Sequence, residues 1–414
     1  MRWIAIVAAL VGVSCGPART LDPEATEPVR MGVVLSLMGD LGGPGQRRLD
    51  AVRLAAREVN AGGGVIGGRR VELVIGDGES DPGRAVEVAQ EIVDSDVVAL
   101  IGESGSASTL AIYMEVTQPA GVIHASGSST STAISAFQEE LEAEERWFFR
   151  TAPSDVAQAP VLATAMFDRG CRRLVIAHLT NDYGMPFADA VDATFTDAGG
   201  TVVTRVPMMD GRASYAAEAA LIAGADTPDC VALIAYPGSG GRLMQDWSLL
   251  TTRPTVRFFG TDALRQATFV EEAGGPTNVA DFLGTAPLTE PTLPAFNAFS
   301  VAYQGTWGRS PSTYDSSFYD AAALILLAIA KAESTDPAEV LAAVRTLSDP
   351  SGSIVRAGEL AEGIRLIREG RAINYDGASG PVDVDESGEV QGIYELWRYD
   401  ATTMAFVRVE MIVP

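Results

Sequence analysis

The chain is poor in cysteine, histidine and positive charge. Its 414 residues include three cysteines and two histidines, and 30 basic against 54 acidic side chains leave a formal net charge of −24. A surface so acidic repels a phosphate backbone unless Lys and Arg gather on one face, and no such cluster occurs, so nucleic acid is not an expected partner. His124 and His178 each sit inside an apolar run. That leaves a zinc site or a histidine-based triad little to build on, and both read as satisfied core histidines. The Gly-x-Ser-x-Gly elbow and the Gly-x-x-x-x-Gly-Lys phosphate loop are absent. Long apolar runs are scarce as well. Beyond the extreme N-terminus no stretch is both long and charge-free enough to span a bilayer, which takes about 20 apolar residues.

What is present excludes an acidic disordered chain, since 47% apolar and 20% charged residues supply the means to bury a core. The length suggests two or three lobes, because single cores stop growing well below this size. Trp3 to Val13 runs eleven residues without a charge. Too short to span, it reads as the apolar part of a secretory signal over residues 1–14. Ser14-Cys15-Gly16 resembles a lipobox, with Gly12 where the motif usually has Leu. Cys15 is then the lipid-carrying residue and residues 15–30 its tether; the alternative is a plain signal peptide with an incidental cysteine. Export leaves Cys171 and Cys230 as a pair in an oxidising compartment. Each opens an apolar run. If those runs are neighbouring parallel strands, their starts share one sheet edge and a disulfide is feasible; two buried free thiols are the alternative.

The first half alternates strand-like and helix-like segments: apolar 31–37, amphipathic 47–60, period-two 70–76, amphipathic 85–93 and apolar 97–101. Short apolar strands separated by helices imply a parallel sheet covered on both faces. An acidic break, Phe137 to Trp147, reads as a solvated helix or loop. A second series follows, with strands at 174–178, 201–206, 231–236 and 256–260 and helices at 185–197, 214–223 and 241–249. A long helix at 316–331 and a hairpin-like tail from Gly380 complete the chain. The expected class is therefore α/β, two doubly wound parallel-sheet lobes whose ligand site lies where the carboxyl ends of the strands face each other.

Two motifs mislead. Gly62 to Gly67 fits Gly-x-Gly-x-x-Gly but leads from a helix into a strand, the reverse of the order that cradles a pyrophosphate. Asp383 to Gly388 begins like a calcium loop, yet Tyr394 stands where a bidentate Glu is needed, so a turn between strands is expected. The informative chemistry lies at strand ends. Ser106, Ser128 and Thr130 fall in hydroxyl-rich loops directly after buried strands, where helix-start N–H groups add to a carboxylate site. Tyr183, Tyr236 and Asp262 sit just past strands of the second series. One carboxylate opposite hydroxyls, with aromatic walls, suits a zwitterion; N-capping is the plainer role of each residue taken alone.

At these residues the chain resembles the type I periplasmic solute-binding proteins, specifically the leucine/isoleucine/valine-binding family of ABC importers. The resemblance rests on Gly32 to Ser36, Glu58-Val-Asn60 through Gly67, Gly76-Asp77, Asp81-Pro82, Phe149 to Asp155, Asp182-Tyr183-Gly184, Tyr319-Asp320-Ala-Ala and Ile373 to Asp383, in order and spacing. It implies three crossings between lobes, near Ala152, Pro287 and Glu395. The N-terminal lobe would hold 31–151 with 288–394, and the C-terminal lobe 152–287 with 395–414. It also implies roles: Ser106, Ser128 and Thr130 for a ligand carboxylate, Asp262 for an ammonium, Tyr183 and Tyr236 in the cleft, Tyr314 in the side-chain pocket. The family often has Glu at the position of Asp262 and an aromatic near Pro44. Amino-acid recognition is implied, a branched aliphatic ligand is not specified, and no cofactor or catalysis is expected. The implied protein is a monomeric, exported, lipid-anchored binder, periplasmic or at the cell surface, that serves an ABC permease in the inner membrane. A sensory lipoprotein, or a binder of amides, urea or aromatic acids, is the alternative.

Overall fold

The computed structural model describes residues 27–288 and 292–414. The secretory signal, Cys15 and nearly all of the tether lie outside the described residues. Strands β1 (Val29–Leu35), β2 (Val71–Asp77), β3 (Ala99–Gly102), β4 (Ile123–Ser126) and β5 (Phe148–Arg150) form a parallel sheet in the order β2-β1-β3-β4-β5. A second sheet is built from β6 (Arg173–Leu179), β7 (Thr201–Met208), β8 (Cys230–Ile234), β9 (Arg257–Gly260) and β10 (Leu283–Pro287). The pair β11 (Ser353–Val355) and β12 (Ile373–Tyr375) stands apart in the first lobe. The hairpin β13 (Tyr394–Asp400) and β14 (Ala405–Ile412) joins the second sheet antiparallel to β10, giving β14-β13-β10-β9-β8-β6-β7. The chain thus passes between the sheets after β5, after β10 and before β13, which makes two lobes and three connections.

Each lobe has its own core. In the first, the helix Asp315–Ala332 is buried on every side from Asp315 to Ala330, so it reads as continuously apolar where a surface helix would show one apolar stripe. It packs against the helix Gly42–Ala61, whose junction with β2 is tied by Asn60: the side-chain amide accepts from Val71 N (2.8 Å) and donates to Val71 O (2.9 Å). The Gly-rich turn between them is backbone geometry, since a Cβ on Gly64 (φ 79°) would lie 2.2 Å from the Arg69 carbonyl oxygen. In the second lobe, parallel pairing sets Leu174 beside Cys230, and Cys171, two residues before β6, is bonded to Cys230 with a Cα–Cα distance of 5.8 Å.

Several boundaries differ from the sequence reading. The helices Gly42–Ala61, Pro82–Val93 and Pro237–Leu249 each begin several residues before the apolar periodicity does, because their first turns are rich in Gly or Pro. Asp81 caps the second of these by accepting from Arg84 N at 2.8 Å. The helix expected from Ser214 starts at Ala216, since the Tyr215 amide is held by Asp246 (2.6 Å). The tail hairpin begins at Tyr394, not at Gly380. Asp383 to Gly388 is a turn in which Asp385 accepts from the amides of Ser387 and Glu389, but no paired strands flank it.

The disulfide closes a segment with a sequence separation of 59. Replacing both cysteines by Ala is expected to lower stability by about 2–4 kcal/mol through the entropy returned to the unfolded chain. Guanidinium unfolding measures this, and an unchanged midpoint would contradict it.

Candidate ligand-binding cleft

The loops after β3 and β4 form one wall. Ser106 is the first residue of the helix Ser106–Ile112, behind Gly105 in extended conformation, and its Oγ accepts from Ser131 N at 3.3 Å. Ser128 Oγ donates to the Ser104 carbonyl (2.9 Å), which locks the two loops together. Thr130 Oγ1 donates to Asp155 Oδ2 (3.0 Å). Behind this wall Arg150, fully buried, spends its donors on the carbonyls of Ser129 and Ser131 (3.0 Å each), on Ser135 and on both oxygens of Glu389 (2.6 Å each). A guanidinium so committed fixes the hydroxyl loop from below.

The opposite wall comes from the second lobe. Asn181 Oδ1 accepts from the amides of Tyr183 (3.2 Å) and Gly184 (2.9 Å), which turns the Tyr183 ring inward. There it stacks on Tyr236, with centroids 5.4 Å apart and planes 9° from parallel, and donates to Thr261 Oγ1 (2.7 Å). Asp262 follows β9, is buried, and does not cap: Oδ1 accepts from Gln158 (2.8 Å) and Oδ2 from the Tyr314 hydroxyl (2.9 Å). Burial pushes its carboxyl up to about 6, against those hydrogen bonds and the attraction of Arg48. Asp155 is raised well above the ordinary carboxylate range, by burial first and then by the charge of Asp262. Tyr314 belongs to the first lobe and reaches across with a left-handed backbone (φ 72°, ψ −6°).

Ser106, Ser128, Thr130, Tyr183, Tyr236, Asp262 and Tyr314 all line one cavity of about 20 Å³, room for roughly one water. Leu41, Ser104 and Arg48 share the lining and were missed from sequence. Arg48 had a legible signal: it lies on the buried face of its helix, in the series Pro44, Arg48, Val52 and Val59. Asp155 and Gln158, which hold Thr130 and Asp262, gave none, because nothing in the local pattern marks them. His124 is a satisfied core residue, with Nε2 at 2.8 Å from the Gly102 carbonyl and burial lowering it to about 4. His178 places Nδ1 at 2.9 Å from the Leu179 carbonyl.

A family model described as periplasmic binding protein matches residues 28–388. The chain belongs to this family. A chemotactic signal transduction system substrate-binding protein of Halobacterium salinarum is 27% identical over 87% of this chain and 84% of its own. Among solved structures, a leucine binding protein from Thermotoga maritima superposes with a TM-score of 0.77 at 22% identity, over 93% of this chain and 99% of that one. A solute-binding protein of an ABC transporter from R. palustris, in complex with benzoate, gives 0.76 at 18% identity over 94% and 97%. These are type I periplasmic binding folds, and the present sheets and connections match that class.

In this binding protein the lobes meet directly. Asp40 of the first lobe accepts from Ser239 and from Arg242 (2.9 Å) of the second, Ser131 donates to the Asp182 carbonyl, and Ser312 donates to Gln266 (2.9 Å). Ser239 also contacts Asp210 (2.6 Å), so two carboxylates flank one hydroxyl. Burial pushes Asp210 up to about 7, while Asp40 is held low by Ser239, Asp210 and Arg242 against its own burial. Glycines line the seam. A Cβ on Gly238 would meet the Asp40 carboxylate at 2.7 Å, and one on Gly105 would meet the Tyr236 hydroxyl at 3.0 Å. Because Arg150 is the deepest support of the hydroxyl wall, Arg150→Met is expected to cost about 3–5 kcal/mol by stranding Glu389 and the loop carbonyls. Chemical denaturation reads the loss, and a change below about 1 kcal/mol would show that the anchor is dispensable.

Proposed function

We propose that the chain is exported, is held to a membrane by lipid on Cys15, and captures an amino acid or related small zwitterion between its lobes for delivery to an ABC permease in the inner membrane. It acts as a monomer and releases its ligand unchanged. In this reading the N-terminal lobe, 31–151 with 288–394, presents Ser106, Ser128 and Thr130 to the ligand carboxylate. The C-terminal lobe, 152–287 with 395–414, presents Asp262 to the ammonium, and Tyr183, Tyr236 and Tyr314 wall the ligand in. The observation that carries it is Asp262: a buried carboxylate held by two neutral side-chain donors, Gln158 and Tyr314, across from a wall of hydroxyls. Tyr314, which donates to Asp262 in the shut cleft, would yield to a ligand ammonium. Ligand stabilises the shut state because only that state offers both walls at once. Among the described residues no helix is long and apolar enough to cross a membrane, which accords with an anchor outside them.

The Halobacterium relative, part of a chemotactic system, favours sensing as a second reading. The benzoate complex keeps aromatic acids among the ligands to screen.

Ser106→Ala is expected to weaken amino-acid binding by about 1.5–3 kcal/mol, the cost of a hydrogen bond to a charged group. Asp262→Asn should cost more, and Glu142→Ala, on the surface, nothing. Calorimetry with an amino-acid panel reads all three; equal affinities for the wild type and Asp262→Asn would remove the ammonium assignment. Protonated Asp262 carries no charge for an ammonium, and its carboxyl sits at about 6. Affinity should therefore be flat at pH 7–8 and fall by up to about tenfold per unit below pH 6. Asp262→Asn should abolish that fall.

A further inference from the structure

Arg48 has no established task. Its side chain projects from the helix Gly42–Ala61 into the cleft lining, and the residue is 3% exposed. The guanidinium lies over the rings of Tyr314 and Phe318, 5.7 and 5.6 Å from their centroids. Nη1 makes one long hydrogen bond, 3.3 Å to the Ser104 carbonyl, and Nε is buried with no partner. Among the described residues it forms no ion pair.

The acids around it are committed elsewhere. Asp315 pairs with Arg47 (3.3 Å) and accepts from Ser312 N (2.8 Å). Glu103, raised to about 7 by burial, accepts from Ser36 (2.7 Å) and from the amides of Ser104 and Gly105. Asp262 takes Gln158 and Tyr314. A guanidinium has five donors in a planar fork, and burying it with most of them idle is costly unless an anion arrives.

We infer that Arg48 receives a second carboxylate of the ligand, so that the ligand class is an acidic amino acid; this rests on the zwitterion reading above. The geometry leads there. In that reading Asp262 takes the ammonium and the hydroxyl wall takes the α-carboxylate, while Arg48, beside the Tyr314 ring in the same lining, keeps a buried Nε without a partner. A side-chain carboxylate pairs with it through the fork. A leucine or valine side chain would complete its desolvation and give nothing back.

The test is calorimetry on the mature chain at pH 7.5 with L-glutamate, L-aspartate, L-leucine and benzoate, using wild type, Arg48→Met, Arg48→Lys and Asp262→Asn. One acidic amino acid should bind about thirtyfold or more tighter than leucine. Arg48→Met should erase that preference by weakening the acidic ligand far more than leucine, and Arg48→Lys should keep part of it. If Arg48→Met does not fold, Arg48→Gln takes its place. Leucine binding as tightly as both acids, or acid binding that survives loss of the guanidinium, overturns the inference. Failure of the underlying zwitterion reading looks different: benzoate would bind, no amino acid would, and Asp262→Asn would leave benzoate binding unchanged.

Discussion

A carboxylate taken out of water needs donors or a cation, and Asp262 relies on neutral donors, with Arg48 attracting it without pairing. Its donors come from both sides of the cleft: Gln158 from its own lobe and Tyr314 from the other. The two lobes thus meet on this one buried group. Everything around it serves that arrangement. The C-terminal end of β9 delivers the carboxylate, the stacked tyrosines exclude water, and a left-handed Tyr314 brings Asp262 a donor from the other lobe.

The fold makes such a meeting natural. In each doubly wound sheet the strands' carboxyl ends carry the loops, and setting two sheets mouth to mouth puts two sets of loops around one small space. The loops are then stiffened from behind, Ser128 against Ser104 and the 129–131 backbone against Arg150. The seam is built from Asp40 and Ser239, both buried, with Arg242, and from glycines whose missing side chains let the lobes touch. On the proposed function, shape and charge at the ligand are set within each lobe and the shut state is stabilised by contacts between them.

Much of this was legible in the sequence, and for identifiable reasons. Strands buried on both faces announce themselves as short apolar runs, so the strand-helix alternation and the order of hydroxyls and tyrosines after the strands could be read directly. Cys171 and Cys230 could be paired only conditionally, because the bond depends on β6 and β8 being neighbours. Helices such as Asp155–Asp168 and Pro294–Trp307 were not indicated: their Ala, Gly and Pro content blurs the apolar period. Arg48 was overlooked although a charge on the apolar face of a helix is visible in the string. Gln158 and Asp155 were invisible, since they matter through contacts more than 20 residues away in sequence, with Asp262 and Thr130.

The most direct measurement is the crystal structure of the protein grown with a mixture of amino acids. The account predicts shut lobes over one bound amino acid, its ammonium on Asp262 and its α-carboxylate at Ser106 and Thr130. A bound ligand that leaves Asp262 paired only with Gln158 and Tyr314 would contradict it.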